Sequence, residues 1–315
     1  MAYKDFISQN VAPLGARRIG IYNAQGNRVG QIPLGALTFP DAGAKLYSFG
    51  VLSDVHIGVN TSAADFTAAL KYLSQETDFV CISGDLVHDG NDTSQQTEYK
   101  TLVDTHAVVP VYACAGNHDA YNTSIETLIS SYTGYPLYYS ITHGDDVFVF
   151  AGCKADATST LLSAEELTWL AQTLEANKNR RVFLFQHVRP DDACGNALGI
   201  YTYDIWGGTV QTTFEALLRK YPNIVFFHGH SHLKFDLQQY EEAANIDKHF
   251  GCWSVHVPSI TVPRGPVSAV DTTRVELYAE SEGYVVDVYE NGIHLRGRDF
   301  VKGEFLPIAS YWLDT

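Results

Sequence analysis

The sequence predicts an α/β fold, in which a parallel or mixed β-sheet carries helices on its faces. Between residues 47 and 231, short apolar runs typical of strands alternate with segments whose apolar residues recur at helical spacing. Such alternation is typical of α/β domains. We predict strands at 47–52, 79–82, 108–115, 182–185 and 224–227, and helices at 61–75, 95–104, 124–131, 163–178 and 210–220.

Local signals support these elements. The helix at 61–75 has apolar residues at helical spacing behind a Thr/Ser start, and Ser163 and Glu166 form a capping box at the start of another helix. Residues 137–152 consist of two strand-like runs on either side of a polar turn at 143–146, which predicts a β-hairpin.

The two ends of the chain are richer in strand signals than its middle. After Leu233 we predict strands at 233–240 and 252–262 and a hairpin that turns at Asn291-Gly292. Near the start, the pattern resembles a hairpin around Gly26-Asn27. With no repeat or linker in the sequence, we predict a β-rich N-terminal extension at 1–45 and one domain at 46–315.

Composition is that of an ordinary globular protein, with 45% hydrophobic and 18% charged residues. Since there is neither a bilayer-length apolar run nor a signal-peptide pattern, we expect a cytoplasmic protein. The five cysteines are widely spaced, and Cys81 and Cys114 lie inside apolar runs, so a disulfide framework is not expected. The net charge of −15 disfavours nucleic acid and anionic membranes as partners, although metal ions could still supply a local cationic site.

Metal-ligand residue types follow five of the predicted strands. In open α/β sheets, ligands bind beyond the carboxyl ends of the strands, so these side chains could converge on one crevice. They are Asp54 and His56, Asp85, Asn117 and His118, His187, and His230 and His232.

The chemistry of this set fits two metal ions. A carboxylate such as Asp85 can bridge two cations about 3.5–4 Å apart. Histidine nitrogens combined with carboxylate and amide oxygens suit Mn, Fe, Zn or Co better than Ca or Mg alone. Taken singly, each motif is better explained by a turn or a helix cap than by a metal site. Only the whole ordered series favours a metal site.

The series D-x-H, G-D, G-N-H-[DE], H and G-H-x-H resembles that of the calcineurin-like metallophosphoesterases. In this chain it is formed by Asp54/His56, Gly84-Asp85, 116–119, His187 and 229–232, and the resemblance covers residues 46–263. It implies a two-sheet β-sandwich flanked by helices, with the domain at 46–315 a metallophosphoesterase domain. It further implies hydrolysis of a phosphodiester or phosphomonoester, with two divalent or trivalent transition-metal ions (Mn, Fe or Zn) as cofactors.

The resemblance also implies a role for each matching residue. Asp54, His56 and His232 would hold the first ion, Asn117, His187 and His230 the second, and Asp85 would bridge both. A water shared by the ions would attack phosphorus. His118 would face the leaving oxygen as a general acid or an electrostatic stabiliser. Asp119 would either fix local geometry or orient His118.

Departures from the family pattern reduce the number of subclasses that fit the sequence. His88-Asp89 stands where the signalling phosphatases carry Asp-Arg, and Ala115 precedes Gly116 where they carry an arginine, so we do not expect that subclass. Purple acid phosphatases have a metal-binding tyrosine at the position of His88. A histidine there resembles the repair-nuclease branch.

Two residues and one loop are candidates for substrate contacts. His88 is either a substrate contact or a histidine beside an acidic turn, and Arg189 is the cation nearest to the site in sequence. Residues 190–208 form either a lid or an ordinary packed loop. We expect a small phosphoester substrate, with a nuclease or a non-catalytic metal-binding or assembly protein as the alternatives. The sequence does not indicate an oligomeric state.

Overall fold

The computed structural model describes residues 42–121, 124–154, 162–190, 193–195, 208–236, 245–266 and 280–315, and also the backbone of the strands at 18–22, 28–33 and 274–276. In chain order, the strands are β1 (Arg18–Tyr22), β2 (Arg28–Pro33), β3 (Lys45–Leu52), β4 (Phe79–Ser83), β5 (Val111–Cys114), β6 (Tyr138–His143), β7 (Asp146–Ala151), β8 (Val182–Phe185), β9 (Ile224–His228), β10 (Ile246–Asp247), β11 (Trp253–His256), β12 (Arg264–Pro266), β13 (Arg274–Glu276), β14 (Glu282–Tyr289), β15 (Gly292–Asp299) and β16 (Glu304–Asp314). The helices are α1 (Ser62–Glu76), α2 (Thr93–His106), α3 (Ile125–Thr133), α4 (Ala164–Ala176) and α5 (Gly208–Lys220), with a 3₁₀ turn at Asp119–Tyr121.

The strands form two mixed six-stranded sheets. The first has the order β16-β15-β14-β3-β4-β5, and the second has the order β10-β11-β9-β8-β7-β6. Within the first sheet, β3, β4 and β5 run parallel, and within the second, β7, β8, β9 and β11 run parallel. The predicted α/β class is therefore confirmed, as is the arrangement of two sheets flanked by helices.

Aromatic residues fill the space between the two sheets. Phe49 and Phe79 of the first sheet stack with ring centroids 5.4 Å apart, and Phe148 of the second sheet meets both edge-on at 5.1 Å. Two further apolar clusters lie on the outer faces, one under α1, α2 and α3 and one under α4 and α5. Strands of these sheets are buried on both faces, which explains why their sequences are continuous apolar runs.

Most of the predicted elements are confirmed, with small shifts at their ends. The hairpin at β6–β7 pairs His143 with Asp146, and Ser163 Oγ accepts the Glu166 N–H at 3.1 Å, as the capping box requires. The hairpin at β14–β15 turns at 290–291, one residue before the predicted step. The strands β1 and β2 pair antiparallel, and the turn between them lies outside the described residues.

Three strand predictions were wrong in extent. The run 108–115 forms a strand only at β5, because its first residues follow the end of α2. In the run 233–240, Leu233 forms only an isolated bridge and 235–236 lie in a 3₁₀ turn, while 237–240 lie outside the described residues. The run 252–262 is a strand only at β11, and its second half is a loop whose role is described below.

All five cysteines are free and buried, which confirms that they act as apolar side chains rather than a disulfide framework. Among the residues that the structure describes, every helix is too short or too polar to cross a bilayer.

The Glu282→Gln variant tests the effect of a buried carboxyl group on stability. Glu282 is 3% exposed, and its carboxylate accepts the Phe235 N–H at 2.8 Å. Burial raises its pKa from 4.5 to about 8, so the folded state holds this proton more tightly than the unfolded chain. Its contribution to stability is thus fully present below pH 4.5 and is lost as the pH rises through about 8. A glutamine can still accept the Phe235 N–H but does not titrate.

We therefore expect the free energy of unfolding of Glu282→Gln to fall less than that of the wild type between acidic and mildly alkaline pH. At about 1.4 kcal/mol per pKa unit, the difference should be on the order of a few kcal/mol. Urea unfolding at both ends of this range measures it, with the exposed Glu304→Gln as the matched control. Parallel pH curves for wild type and Glu282→Gln would contradict the assignment.

Candidate metal centre

The predicted ligands lie at the carboxyl ends of parallel strands from both sheets. Asp54 and His56 follow β3, Asp85 follows β4 and Asn117 follows β5, while His187 follows β8 and His230 and His232 follow β9. The loops are joined by main-chain hydrogen bonds, such as Asp54 N–H to Gly84 O at 3.1 Å and Gly229 N–H to His187 O at 2.9 Å. One contact links the two sheets directly, because the His230 N–H donates to Asp54 Oδ2 at 3.1 Å.

Five of these residues have a left-handed backbone, which is uncommon for non-glycine residues. Their φ angles are +53° for Asp54, +47° for His56, +53° for Asp85, +70° for His230 and +60° for His232. Each such residue costs on the order of 1–3 kcal/mol and persists only where the surroundings hold it. The conformation turns each strand end sharply, so that the side chain points into the space between the loops.

One group of ligand atoms is formed by Asp54, His56, Asp85 and His232. His232 Nε2 lies 2.9 Å from Asp54 Oδ1 and 3.1 Å from His56 Nε2, and His56 Nε2 lies 3.5 Å from Asp85 Oδ2. All four residues are buried, and their ligand atoms lie within 4.8 Å of one another. Two imidazole nitrogens and two carboxylate oxygens therefore face one small volume.

A second group shares one member with the first. Asp85, His187 and His230 also place their ligand atoms within 4.8 Å of one another, and His187 Nε2 lies 3.0 Å from Asp85 Oδ2. Asn117 follows the neighbouring strand, and its buried Oδ1 has no hydrogen-bond partner. Asp85 is the residue common to both groups.

The buried polar atoms test whether this set fits metal ions. Asn117 Oδ1 is buried without a hydrogen-bond partner among the described residues. The buried Asp54 Oδ1 and Asp85 Oδ2 face imidazole nitrogens, at 2.9 Å from His232 Nε2 and 3.0 Å from His187 Nε2. Buried polar atoms in native proteins are nearly always paired, and an unpaired one calls for an unseen partner such as an ion. Because these atoms also converge, the set fits two cations with mixed nitrogen and oxygen ligands.

Main-chain carbonyls orient two of the histidines. His187 Nδ1–H donates to Ser83 O at 2.6 Å, and His232 Nδ1–H donates to Val262 O at 3.2 Å. A carbonyl can only accept, so Nδ1 of each ring carries a proton and Nε2 faces the carboxylates. Such outer contacts set the tautomer and the ring orientation of metal-binding histidines.

The electrostatics of the site couple the two carboxylates to the imidazoles. Burial raises the pKa of Asp54, but the facing His232 and His187 outweigh it, and the pKa lies well below its ordinary value. Burial lowers the pKa of His187, yet Asp85 and Asp54 outweigh it and raise it to about 9. Burial lowers the pKa of His230 to about 3. The carboxylates are thus kept ionised, as metal ligands must be.

His118 belongs to neither of the two groups that share Asp85, but its ligand atom lies within 4.8 Å of those of His56 and His88, which makes a third cluster. Its ring centroid is 4.6 Å from that of His56, and its main-chain N–H donates to Asp85 Oδ1 at 2.9 Å. Its Nδ1–H donates to the His88 carbonyl at 2.6 Å, and Nε2 has only a long contact, at 3.4 Å, with the Tyr121 hydroxyl among its resolved hydrogen bonds. The exposed His88 ring lies 5.0 Å from the ring of His118.

Asp119 fixes local geometry through main-chain contacts. Its buried carboxylate accepts the N–H groups of Gly116 at 2.7 Å, Leu86 at 3.1 Å and Val87 at 3.2 Å. These bonds join the loop after β4 to the loop after β5. The carboxylate therefore holds Asp85 and Asn117 at a set separation.

The contacts that the structure resolves for Arg189 are with main-chain carbonyls of its own loop. The residue is buried, and its guanidinium donates to the main-chain carbonyls of Pro190 at 2.9 Å and Ala193 at 3.3 Å. A phosphate contact by Arg189 therefore stays a prediction. The rest of the predicted lid, at 191–192 and 196–207, lies outside the described residues.

Sequence reasoning missed the segment that holds the Asp54 loop. Ser259 Oγ–H donates to Asp54 O at 2.9 Å, Thr261 Oγ1–H donates to Val55 O at 2.6 Å, and the Ile260 N–H donates to Ser53 O at 3.2 Å. We predicted a strand here because the segment is apolar and β-branched. The alternating hydroxyls of the Ser-Ile-Thr run were the available signal, since buried hydroxyls require acceptors.

Comparison with known proteins identifies the family pattern and the fold. Residues 47–234 match the model of the calcineurin-like phosphoesterase family, and no curated protein matches the sequence. The fold is similar to that of a purple acid phosphatase from yellow lupin (Lupinus luteus) seeds, with a TM-score of 0.58 and 13% identity over 94% of this chain. This chain covers 59% of the length of that phosphatase. It is also similar to GAP50, the anchor in the inner membrane complex of Plasmodium, with a TM-score of 0.54, 15% identity, and coverage of 86% of this chain and 89% of that one.

The shared position of Asp85 leads to a prediction about metal content. Asp85→Asn removes the charge that both groups of ligand atoms face, so we expect reduced occupancy of both ions. Elemental analysis of protein reconstituted with Mn²⁺ measures the metal bound per chain. Asp89→Asn is the matched control, because Asp89 lies in the same turn and accepts only the nearby Asn91 N–H and amide among its resolved side-chain contacts. Unaltered metal content in Asp85→Asn would contradict the bridging position.

Proposed function

The chain belongs to the calcineurin-like phosphoesterase family, and we propose that it is a phosphoric ester hydrolase with a dinuclear metal centre. The proposed ligands of the first ion are Asp54, His56 and His232, and those of the second are Asn117, His187 and His230. Asp85 bridges the two. Mn, Fe or Zn suits this mixed nitrogen and oxygen set.

The observation that carries this proposal is the buried carboxylate shared by two groups of ligand atoms. Asp85 Oδ2 lies 3.5 Å from His56 Nε2 of the first group and 3.0 Å from His187 Nε2 of the second. Two ions in such a site lower the pKa of a bound water and neutralise the phosphoryl oxygens. The protein's own part is to keep its ligands ionised, oriented and shielded from water.

His118 is the proposed general acid. Its Nδ1–H is held by the His88 carbonyl at 2.6 Å, which leaves Nε2 as the atom that passes a proton to the leaving oxygen. Because the ring packs edge-on against His56, Nε2 lies next to the first group of ligand atoms.

A small phosphoester is the proposed substrate. The net charge of −15 disfavours long polyanions as substrates. The second candidate is a nuclease, which the exposed His88 beside His118 favours.

Hydrolysis assays on Mn-reconstituted protein separate these candidates. Matched aryl phosphomonoester and phosphodiester substrates are compared, with single-stranded DNA alongside. Turnover of the small esters without DNA cleavage supports the proposed substrate class, and DNA cleavage that is lost in His88→Ala supports the nuclease. No turnover of any ester by fully metal-loaded protein would contradict an enzymatic role and leave a non-catalytic metal-binding protein.

His118→Ala tests the assignment of the general acid. We expect it to keep both metal ions, because His118 belongs to neither of the two groups that share Asp85. We expect it to slow turnover by ~10²–10⁴-fold, the usual contribution of general acid–base catalysis. Elemental analysis and steady-state kinetics on an ester with a poor leaving group measure the two effects. His106→Ala, at the end of α2, is the control. Full activity of His118→Ala on that ester would exclude the assignment.

A further inference from the structure

An exposed aromatic ring lies at the opening of the proposed centre. Tyr121 is 53% exposed, and among the described large hydrophobic residues only Val108 is more exposed. Its ring centroid is 4.8 Å from that of His118, and its hydroxyl lies 3.4 Å from His118 Nε2. Tyr121 is therefore next to the atom that would meet the leaving oxygen.

The main chain holds Tyr121 in this position. It ends the 3₁₀ turn that begins at Asp119, whose buried carboxylate binds three main-chain N–H groups of the neighbouring loops. The Ala120 N–H donates to Gly116 O at 3.1 Å, and the Asn91 side chain donates to the Tyr121 carbonyl at 3.4 Å. The ring consequently stands on a backbone that is fixed relative to the ligands.

The phenol contacts polar groups without being buried by them. A hydrogen bond with the Asn117 side chain lowers the pKa of Tyr121, but burial and the charge of Asp85 outweigh it and raise the pKa, so the hydroxyl stays protonated. The 3.4 Å contact with His118 Nε2 is at the long end for a hydrogen bond. A leaving oxygen approaching Nε2 can displace it at little cost.

The chemistry around Tyr121 indicates what the ring would contact. Of the acidic groups that act on Tyr121, Asp89 lies outside the proposed ligands, and its charge disfavours a second anionic group on the substrate at this place. The other ring at the opening is the exposed imidazole of His88. Aromatic faces beside acidic groups suit an uncharged flat ring, which stacks without needing directional hydrogen bonds.

We propose that Tyr121 is a specificity-determining residue and that the leaving group of the substrate carries a flat, uncharged ring, aryl or nucleobase, that packs on it. This inference rests on the proposed phosphoesterase function and names the class of ester that the site prefers. Stacking of a base on an aromatic side chain changes affinity by ~5- to 100-fold on removal of that side chain.

Binding of two phosphonates tests this proposal without requiring turnover. Benzylphosphonate and cyclohexylmethylphosphonate have no ester bond to cleave, and they differ in that one carries a flat aromatic ring and the other a saturated ring. Calorimetric titration of the Mn-loaded protein gives their Kd ratio. We expect the wild type to bind the benzyl compound at least about fivefold more tightly.

Variants of Tyr121 test whether this residue causes the preference for the benzyl compound. Tyr121→Phe keeps the ring and should keep the Kd ratio, whereas Tyr121→Leu keeps apolar bulk and should bring the ratio to about one. Leu46→Ala is the control, because Leu46 is exposed at the amino end of β3, away from the ligands at its carboxyl end, and it should retain the wild-type ratio. A wild type that binds both compounds equally or neither, or a Tyr121→Leu variant that keeps the preference, overturns the proposal.

Hydrolysis distinguishes failure of this inference from failure of the proposed function. Dibenzyl phosphate and bis(cyclohexylmethyl) phosphate have leaving alcohols of similar acidity and size, and chromatography of the released alcohol gives kcat/KM for each. Equal rates on both contradict the role of Tyr121 while supporting the phosphoesterase. Loss of turnover on every ester, with the phosphonate preference intact, contradicts the enzymatic function but supports the ring-binding site.

Discussion

The structure depends on two carboxylates, Asp54 and Asp85, that are buried beside imidazoles. Imidazole nitrogens approach Asp54 Oδ1 to 2.9 Å and Asp85 Oδ2 to 3.0 Å. Buried carboxylates require a compensating positive charge, which protonated imidazoles such as that of His187 or bound cations supply. The left-handed residues around the cluster add a further cost of strain. If the proposed ions bind here, their binding therefore also contributes to the stability of the folded chain.

The sandwich is what allows these groups to meet. Asp54 and Asp85 follow strands of the first sheet, and His187, His230 and His232 follow strands of the second. Stacked aromatic rings hold the two sheets face to face, and the His230 N–H to Asp54 Oδ2 bond closes their carboxyl ends. The packing of the core therefore sets the separation of the ligands, and a change in the aromatic core would act on the centre from a distance.

The sequence was sufficient to predict those candidate ligands that are typical metal-binding residues and that also follow a strand directly. A carboxylate or histidine directly after a buried strand can lie only at the sheet's carboxyl end, which is why the residues of both groups could be named in advance. Contacts made by the main chain cannot be predicted from residue type. The carbonyls of Ser83, Val262 and His88 orient three histidines, and any residue at those three positions would offer the same carbonyl. The segment 259–261 was predicted as strand because its Ile and Thr favour strands, whereas tertiary hydrogen bonds to the Asp54 loop decide its conformation. Arg189 was selected by distance along the chain, and that distance gave no information on the carbonyls that its guanidinium contacts.

The buried centre and the rim around it differ in what they can determine. In the proposed function the buried ligands would face the phosphoryl group, which all esters of this kind share, so they would discriminate little between one ester and another. Discrimination requires side chains that reach the part of the substrate beyond phosphorus, and among the described residues His88 and Tyr121 are exposed beside His118. Asp119 connects the buried centre with the exposed residues around it. Its carboxylate fixes the loops of Asp85 and Asn117, and the residue also begins the turn that carries Tyr121. The same interaction that positions the ligands therefore also positions the ring, which couples the choice of leaving group to the geometry of the centre.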